Sequence, residues 1–535
     1  MEPVSAWLIL LAVMAVPAWM GRFVVSRAFA GTFPREARWA GCAWLTWCGL
    51  VLALCYWLPS QTLPWLLLPV ALGWGLVAVC DWRSRRDSRR TPPGQLSLIE
   101  GIRALGERDF NLRQFAQCGP LFKMSQFGTP TICVLGLERI ERLIKGHSEF
   151  LGPSTLPISN GVEGSFLRYM PAETHAVYGR LFRRAMSGPF GSGQTAAIER
   201  LCAEQLRPLV GPPASPFPRL QTLARRALNQ LLLGLEPGTR AGDRFDELAR
   251  GFATAGIGWS LGRRDRESLD EMRQILAQQV DAEESRGGGS ALSPSVLLRL
   301  RQQDPQMPDR ICFDNLIVMH RIATGNVSSL LGWLLYRWGT EPEIVAALQQ
   351  APESEGVTGL RTFLSETLRT SQSEYLYRRV VREFEFEGYR FPRGWLLRGC
   401  VWESHRTSAV VTGPDRFRLR QEPLAYDRRH FIPLGMGAHA CNGGDINELI
   451  CLAFLGRLWH TRAVRVTHAT PLQRQKPGTG ATGNPTRPCW CRWRWVHEPG
   501  SAHPARSGGG RARALGHHGQ RRHHGAVAPV VAAVL

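Results

Sequence analysis

Pro433 to Gly444 reads Pro-Leu-Gly-Met-Gly-Ala-His-Ala-Cys-Asn-Gly-Gly, and this short stretch constrains the chain more than any other part of it. An apolar-periodic run, Ile446 to Trp459, follows directly and reads as a helix. A glycine-rich loop that carries one cysteine to a helix N-terminus aims backbone N–H groups at the sulfur. That arrangement lowers the pKa of Cys441 and holds it as a thiolate. Where Gly435, Gly437 and Gly443 lack side chains, a flat macrocycle can lie close against the loop. The plainer alternative is a buried cysteine in a loop that is glycine-rich by chance, and the rest of the chain must decide between the two.

Three further clusters bear on that choice. Glu366 and Arg369 stand at i and i+3 on one predicted helix, a spacing that taken alone marks a solvated face. The pair lies 72 residues before Cys441 and is followed by Tyr377-Arg378-Arg379, by Gly388 to Trp395 with its Gly/Pro/Gly turn pattern, and by Ser404-His405-Arg406. Upstream, Leu316 to Ser329 continues apolar to Trp338 and reads as a long buried helix containing Gly325, Asn326, Val327, Ser328 and Ser329. Serines within a helix also commonly bond back to their own carbonyls. The fourth cluster is Glu173 to Arg180, with His175 and Arg180 as candidates.

In this order the clusters resemble the cytochrome P450 family over about Leu96 to Thr470. The resemblance implies a mainly α fold with a minor β-sheet, and a haem b whose iron takes the Cys441 thiolate as axial ligand, with Gly435, Gly437, His439 and Gly443 on motif positions. It further implies that His439 and Arg379 pair with haem propionates, as His175 or Arg180 would. Glu366 and Arg369 become a buried ion pair, completed by Arg420. Gly325, Asn326 and Ser328 fall on the distal helix, where the family kinks the chain and relays protons.

Two departures stand out. Leu434 occupies the place of a phenylalanine that usually shields the sulfur, and Val327 that of an acid. The implied function is a monooxygenase that oxidises an apolar small molecule with dioxygen. No flavin or nicotinamide segment is fused to the chain, so electrons come from a separate ferredoxin or reductase, drawn to a basic proximal face that includes Arg428 and Arg429. Val327 and Leu434 keep two alternatives open: a haem-thiolate isomerase, dehydratase or peroxygenase, and a degenerate haem protein without turnover.

The N-terminus adds a bilayer. Val4 to Met20, Ala40 to Leu58 and Leu63 to Cys80 each approach the roughly 20 apolar residues that a spanning helix needs. Arginines 22, 27, 35 and 38 precede the second stretch, arginines 83, 85, 86, 89 and 90 follow the third, and the Pro59-Ser60-Gln61 turn carries none. Positive charge stays cytoplasmic, which orients three spans with the catalytic domain on the cytoplasmic side of a multi-pass membrane protein. The expected organisation is an anchor over 1–82, a basic and Pro-rich linker over 83–95, the catalytic domain over 96–470 and a tail over 471–535.

The tail is rich in Arg, Gly, Pro and His, and shows neither apolar periodicity nor alternating strands. It reads as disordered, as a shifted reading frame would leave it. Ten Lys and Arg against one acidic residue place nine of the net +21 charges there. No basic helix with interleaved aromatics and no zinc-finger spacing accompanies this charge, which argues against nucleic acid as a partner. Cys489, Cys491 and the tail histidines lack paired ligand spacing, and the other cysteines read as buried thiols rather than a disulfide framework.

Overall fold

The computed structural model describes residues 90–96, 104, 109–126, 129–153, 165–167, 170–188, 190–207, 216–254, 263–285, 294–371, 375–419, 426–427, 429–460, 464–468 and 492–495. The three proposed membrane stretches, Arg420, Arg428 and the tail's cysteine and histidine groups lie outside them. Among the described residues, no helix is long and apolar enough to cross a membrane.

The longest helix, α9 (Asp309–Thr340), runs through the helical core and at 32 residues spans about 48 Å. Its ends are written in the sequence. Pro308 precedes it, Asp309 stands in the first turn and Arg337 in the last, each charge complementing the helix dipole. Arg337 also donates to Glu341 Oε1 at 2.9 Å where the helix stops. Leu316, Ile317, Leu330, Leu331, Leu334 and Leu335 bury it against α5 (Phe217–Leu233), whose Leu220, Leu223, Ala224, Leu228 and Leu231 are fully buried. That helix opens with Pro218 in its first turn and closes at Gly234, left-handed at φ 69°, where Leu235 N–H returns to the Asn229 carbonyl. The same core takes in α3 (Ala172–Met186), α4 (Ser192–Leu206), α6 (Arg240–Thr254), α7 (Arg263–Ser285), α8 (Val296–Gln303), α11 (Glu353–Ser371) and α13 (Gly444–Trp459).

A six-stranded mixed sheet forms the second layer, in the order β1 (Gly94–Gln95), β2 (Leu121–Gln126), β3 (Thr129–Val134), β8 (Leu396–Cys400), β5 (Tyr375–Val380) and β4 (Leu151–Pro153). Strand β3 runs parallel to β8, with Cys133 opposite Arg398, and β5 runs antiparallel to β8, with Arg378 opposite Leu397. One face packs on α2 (Leu137–Gly146) through Ile132, Val134, Ile140, Leu143 and Leu397. The other carries Phe122, Met124, Cys133 and Cys400, together with Phe110 of α1 (Phe110–Cys118). The Gly388 turn joins β6 (Phe384–Phe386) to β7 (Tyr389–Phe391) in a hairpin. Glu387 at φ 49° and Gly388 at φ 77° give it the two left-handed residues that such a tight connection needs.

The mainly helical fold with a minor sheet agrees with the sequence. Two segment assignments need correction. Within the expected linker over 83–95, residues 90–95 are tied to the domain: β1 pairs with β2, Lys123 N–H donates to the Pro93 carbonyl at 2.7 Å, and Arg390 N–H to that of Arg90 at 2.8 Å. The tail is not without strands either. Arg492–Trp495 forms β10, antiparallel to β9 (Val464–His468), because Arg-Trp-Arg-Trp alternates with the period of a strand within an otherwise patternless stretch.

Candidate active site around Cys441

The cysteine loop is a compact backbone construction. Gly435 and Gly437 lie at φ 75° and 72°, conformations that a side chain would strain. Between them and the cysteine, Gly437–His439 make one tight turn. Ala440 N–H donates to the Gly437 carbonyl at 3.1 Å and Cys441 N–H to that of Leu434 at 2.8 Å. Gly443 then starts α13, Asn447 N–H returning to its carbonyl at 2.9 Å. Leu434 is exposed and covers Gly444: a Cβ there would meet Leu434 Cδ1 at 3.2 Å.

The sulfur departs from the expectation of a depressed pKa. The Gly443 N–H does pull the Cys441 thiol down, but burial outweighs it and leaves the thiol above its ordinary value. The residue nevertheless opens to the surface on one side. One directed N–H does not replace the solvation lost by the sulfur, so a bound cation is what would remove the proton.

Imidazole and guanidinium groups gather beside this loop. His439 and His175 face one another with ring centroids 4.3 Å apart. Arg183 donates from Nη2 to the Ala438 carbonyl at 3.1 Å, and its Nε lies 3.5 Å from Asn442 Oδ1. Arg378 donates from Nη2 to the Met436 carbonyl at 3.3 Å. The His175 pKa is lowered first by burial and then by the Arg183 and Arg378 cations, which disfavours a third cation beside them.

Two sequence candidates point elsewhere. Arg379 alternates to the opposite side of β5, where Nη1 donates to the Gly394 carbonyl at 3.3 Å. Arg180 is exposed on α3, while Gly179, one turn after His175, lies beneath that imidazole. Arg183, a second turn further on, supplies the guanidinium on the His175 face instead. Sequence reasoning missed Arg183 and Arg378. The signal for the first was the i, i+4, i+8 series from His175 through Gly179, and for the second the inward phase of β5 set by buried Leu376 and Val380.

Behind the loop, Glu366 and Arg369 form a fully buried bidentate pair, with both contacts at 2.8 Å. Arg369 also donates to the carbonyls of Pro414 at 2.7 Å and Arg416 at 3.2 Å, while Glu366 accepts from Arg418 N–H at 3.1 Å and the Tyr426 hydroxyl at 3.0 Å. The pair therefore pins residues 414–418 and Tyr426 to α11. Phe417 completes the lock, its ring edge-on to Phe363 at 5.0 Å. Arg429 is occupied by Asp427 at 3.2 Å.

On α9, a Cβ added to Gly325 would meet nothing within 4 Å, so open space adjoins the helix there. Asn326 is half-buried, whereas Val327, Ser328 and Ser329 turn into the core. Ser328 donates to the Gly325 carbonyl at 3.1 Å, and the Ser329 hydroxyl is buried without a hydrogen-bond partner among the described residues.

A single thiol with a basic rim beside it fits a flat, iron-bearing macrocycle with two carboxylates. The relatives agree. The cytochrome P450 family profile matches residues 323–489, which reaches beyond Thr470. Abscisic acid 8'-hydroxylase 1 of Arabidopsis thaliana is 22% identical over 357 residues, covering 62% of this chain and 75% of that protein. Cytochrome P450 26A1 of Xenopus laevis is 22% identical over 473 residues, covering 80% and 95%. The solved structure of retinoic acid bound cyanobacterial CYP120A1 superposes with a TM-score of 0.58 at 17% identity, over 72% of this chain and 95% of that one.

Fold, site and relatives together define a haem-thiolate oxidoreductase. Residues 323–489 match the cytochrome P450 family and the relatives are P450s, a family of monooxygenases using haem b with a cysteine thiolate on iron.

Proposed function

We propose that this P450 hydroxylates or otherwise oxidises an apolar small molecule, with dioxygen as oxidant and electrons from a separate ferredoxin or reductase. The observation that carries the reading is Cys441, held at the start of α13 with its sulfur facing the Gly443 N–H and a basic rim alongside. When bound, haem supplies dioxygen activation, and an axial thiolate favours O–O cleavage.

The remaining work falls to side chains. Cys441 would hold the haem iron through its sulfur, as a thiolate. His439, His175, Arg378 and Arg183 would hold the propionates by charge-assisted hydrogen bonds, with Arg378 in the role that the sequence suggested for Arg379. Glu366 and Arg369 keep the proximal backbone in register. Gly325 would leave room for a ligand beside α9, and Asn326 and Ser328 would be the polar groups available for moving protons, Val327 providing none.

The named ligands of the relatives, abscisic acid and retinoic acid, support a substrate of terpenoid-like apolarity. An anchor in residues 1–82 fits this reading, since an apolar substrate concentrates in the bilayer that three spans would occupy. The test is turnover with isotopically labelled dioxygen and an added electron donor. Label in the product is expected; product carrying oxygen from water alone would overturn the reading.

Val327 favours a second reading within the same site. With an apolar side chain at the acid position and the Ser328 hydroxyl engaged by the Gly325 carbonyl, proton delivery along α9 is weak. Peroxide, which brings its own protons, would then be the better oxidant. Faster turnover with peroxide than with dioxygen and donor would favour it.

A further inference from the structure

Cys441 is followed directly by Asn442 and Gly443, one of two Asn-Gly pairs in the chain, the other being Asn160-Gly161. In such a pair the side-chain amide lies open to attack by the backbone nitrogen of the next residue, because glycine puts no side chain in the way and lets the backbone turn toward it. The other described asparagines, Asn111, Asn229, Asn315, Asn326 and Asn447, all lie inside helices and precede a residue that has a side chain. Asn442 differs on both counts: it is half-buried in the loop, and Gly443 caps α13.

Its surroundings favour the attack further. Arg183 Nε lies 3.5 Å from Asn442 Oδ1, so a cation stands beside the oxygen on which negative charge develops. The N-terminus of α13 favours negative charge at the same place.

We propose that Asn442 is a position of spontaneous deamidation, at which an amide turns into a carboxylate next to the cysteine and draws Arg183 away from the haem site. The Gly443 nitrogen bonds to Cγ of Asn442 as the Cγ–Nδ2 bond breaks, and ammonia leaves with the proton from Gly443. The cyclic imide then opens by adding water, giving aspartate or isoaspartate at this position. No electrons are exchanged and no partner is needed.

The product carboxylate lies within reach of Arg183, which otherwise donates to the Ala438 carbonyl at 3.1 Å, and it sets a negative charge one residue from the sulfur that must meet iron as an anion. Isoaspartate also lengthens the backbone at the cap of α13. Either product weakens the hold of the loop on haem. This consequence rests on the P450 reading above, whereas the modification does not.

The test ages the purified full chain in mildly alkaline buffer and follows each Asn-Gly peptide by mass spectrometry, with isoaspartyl methyltransferase labelling. Deamidation is expected at Asn442. Arg183→Leu, at an exposed residue, should slow it at least about fivefold, the scale of one lost hydrogen bond, and leave the rate at Asn160 unchanged. Gly443→Ala should all but stop it, and it is tolerated by the fold because the added Cβ would meet only Met186 Cε at 3.8 Å and Cys441 Sγ at 3.9 Å. Asn442→Asp, which installs the product directly, should purify with a much lower ratio of Soret to protein absorbance than Asn442→Gln. An intact Asn442 in aged protein, a rate indifferent to Arg183→Leu, or equal haem content in the Asp and Gln variants would overturn the proposal. Failure of the unsubstituted protein to give a thiolate-type ferrous carbonyl spectrum would instead overturn the P450 reading, with the deamidation arm left standing.

Discussion

Arg378 and Arg379 are neighbours in β5 with opposite assignments: Arg378 reaches the Met436 carbonyl in the cysteine loop, and Arg379 reaches the Gly394 carbonyl on the far side of the strand. Strand alternation leaves room for only one of them beside His439. Arg378→Leu should therefore lower haem occupancy about tenfold, the size of one charge-assisted hydrogen bond, while Arg379→Leu stays near the unsubstituted level. The ratio of Soret to protein absorbance in purified samples checks this. A larger loss in the Arg379 variant would reverse the assignment.

Removing one partner of the buried Glu366–Arg369 pair strands the other charge in the core. Glu366→Ala should cost about 3–5 kcal/mol and release residues 414–418 from α11. Urea unfolding measures the cost, and limited proteolysis within residues 414–418 reports the release.

The two serines of α9 should differ in sign. Ser329→Ala removes a buried hydroxyl that has no partner among the described residues, so it should be neutral or stabilising by about 1 kcal/mol. Ser328→Ala loses the bond to the Gly325 carbonyl and should cost about 1 kcal/mol. Thermal unfolding of the two variants side by side shows whether the order holds.

His320, fully buried on α9 beside Phe245 and the Arg225 carbonyl, has its pKa lowered by burial to about 4 from an ordinary 6.5. The unfolded chain binds a proton at this residue in the interval where the folded one does not. Stability from this group is therefore complete above about pH 6.5 and falls as the pH drops toward 4, by about 3 kcal/mol in all. Urea midpoints at neutral and acidic pH should show that loss, and His320→Leu should flatten it. A variant as acid-sensitive as the unsubstituted protein would show that other groups carry the effect.

Much of the site was legible because its signals are local. The Cys441 loop needs glycines at two left-handed positions, and Glu366 with Arg369 lie on one helix face, so both are written within a few residues. What escaped depends on phase or on distant partners. Choosing Arg378 over Arg379 requires knowing which face of β5 is inward, and Arg183 became visible only once Gly179 was seen beneath His175. The raised Cys441 thiol follows from desolvation by the surrounding fold, which no loop sequence records. The hydrogen bond from the Ser165 hydroxyl to Asp314 joins residues 149 positions apart, and nothing in either stretch announces the other. At the C-terminal end, the four residues of β10 are too short a period-2 signal to stand out from the Arg- and Trp-rich sequence around them.

The central claim is a bond from the sulfur of Cys441 to haem iron, and the reduced, carbon-monoxide-bound absorption spectrum tests it most directly. The full chain should give the strongly red-shifted Soret band of a thiolate-ligated ferrous carbonyl, and Cys441→Ser should abolish that band. A colourless protein from haem-replete cells, or an unchanged band in the serine variant, would contradict the account.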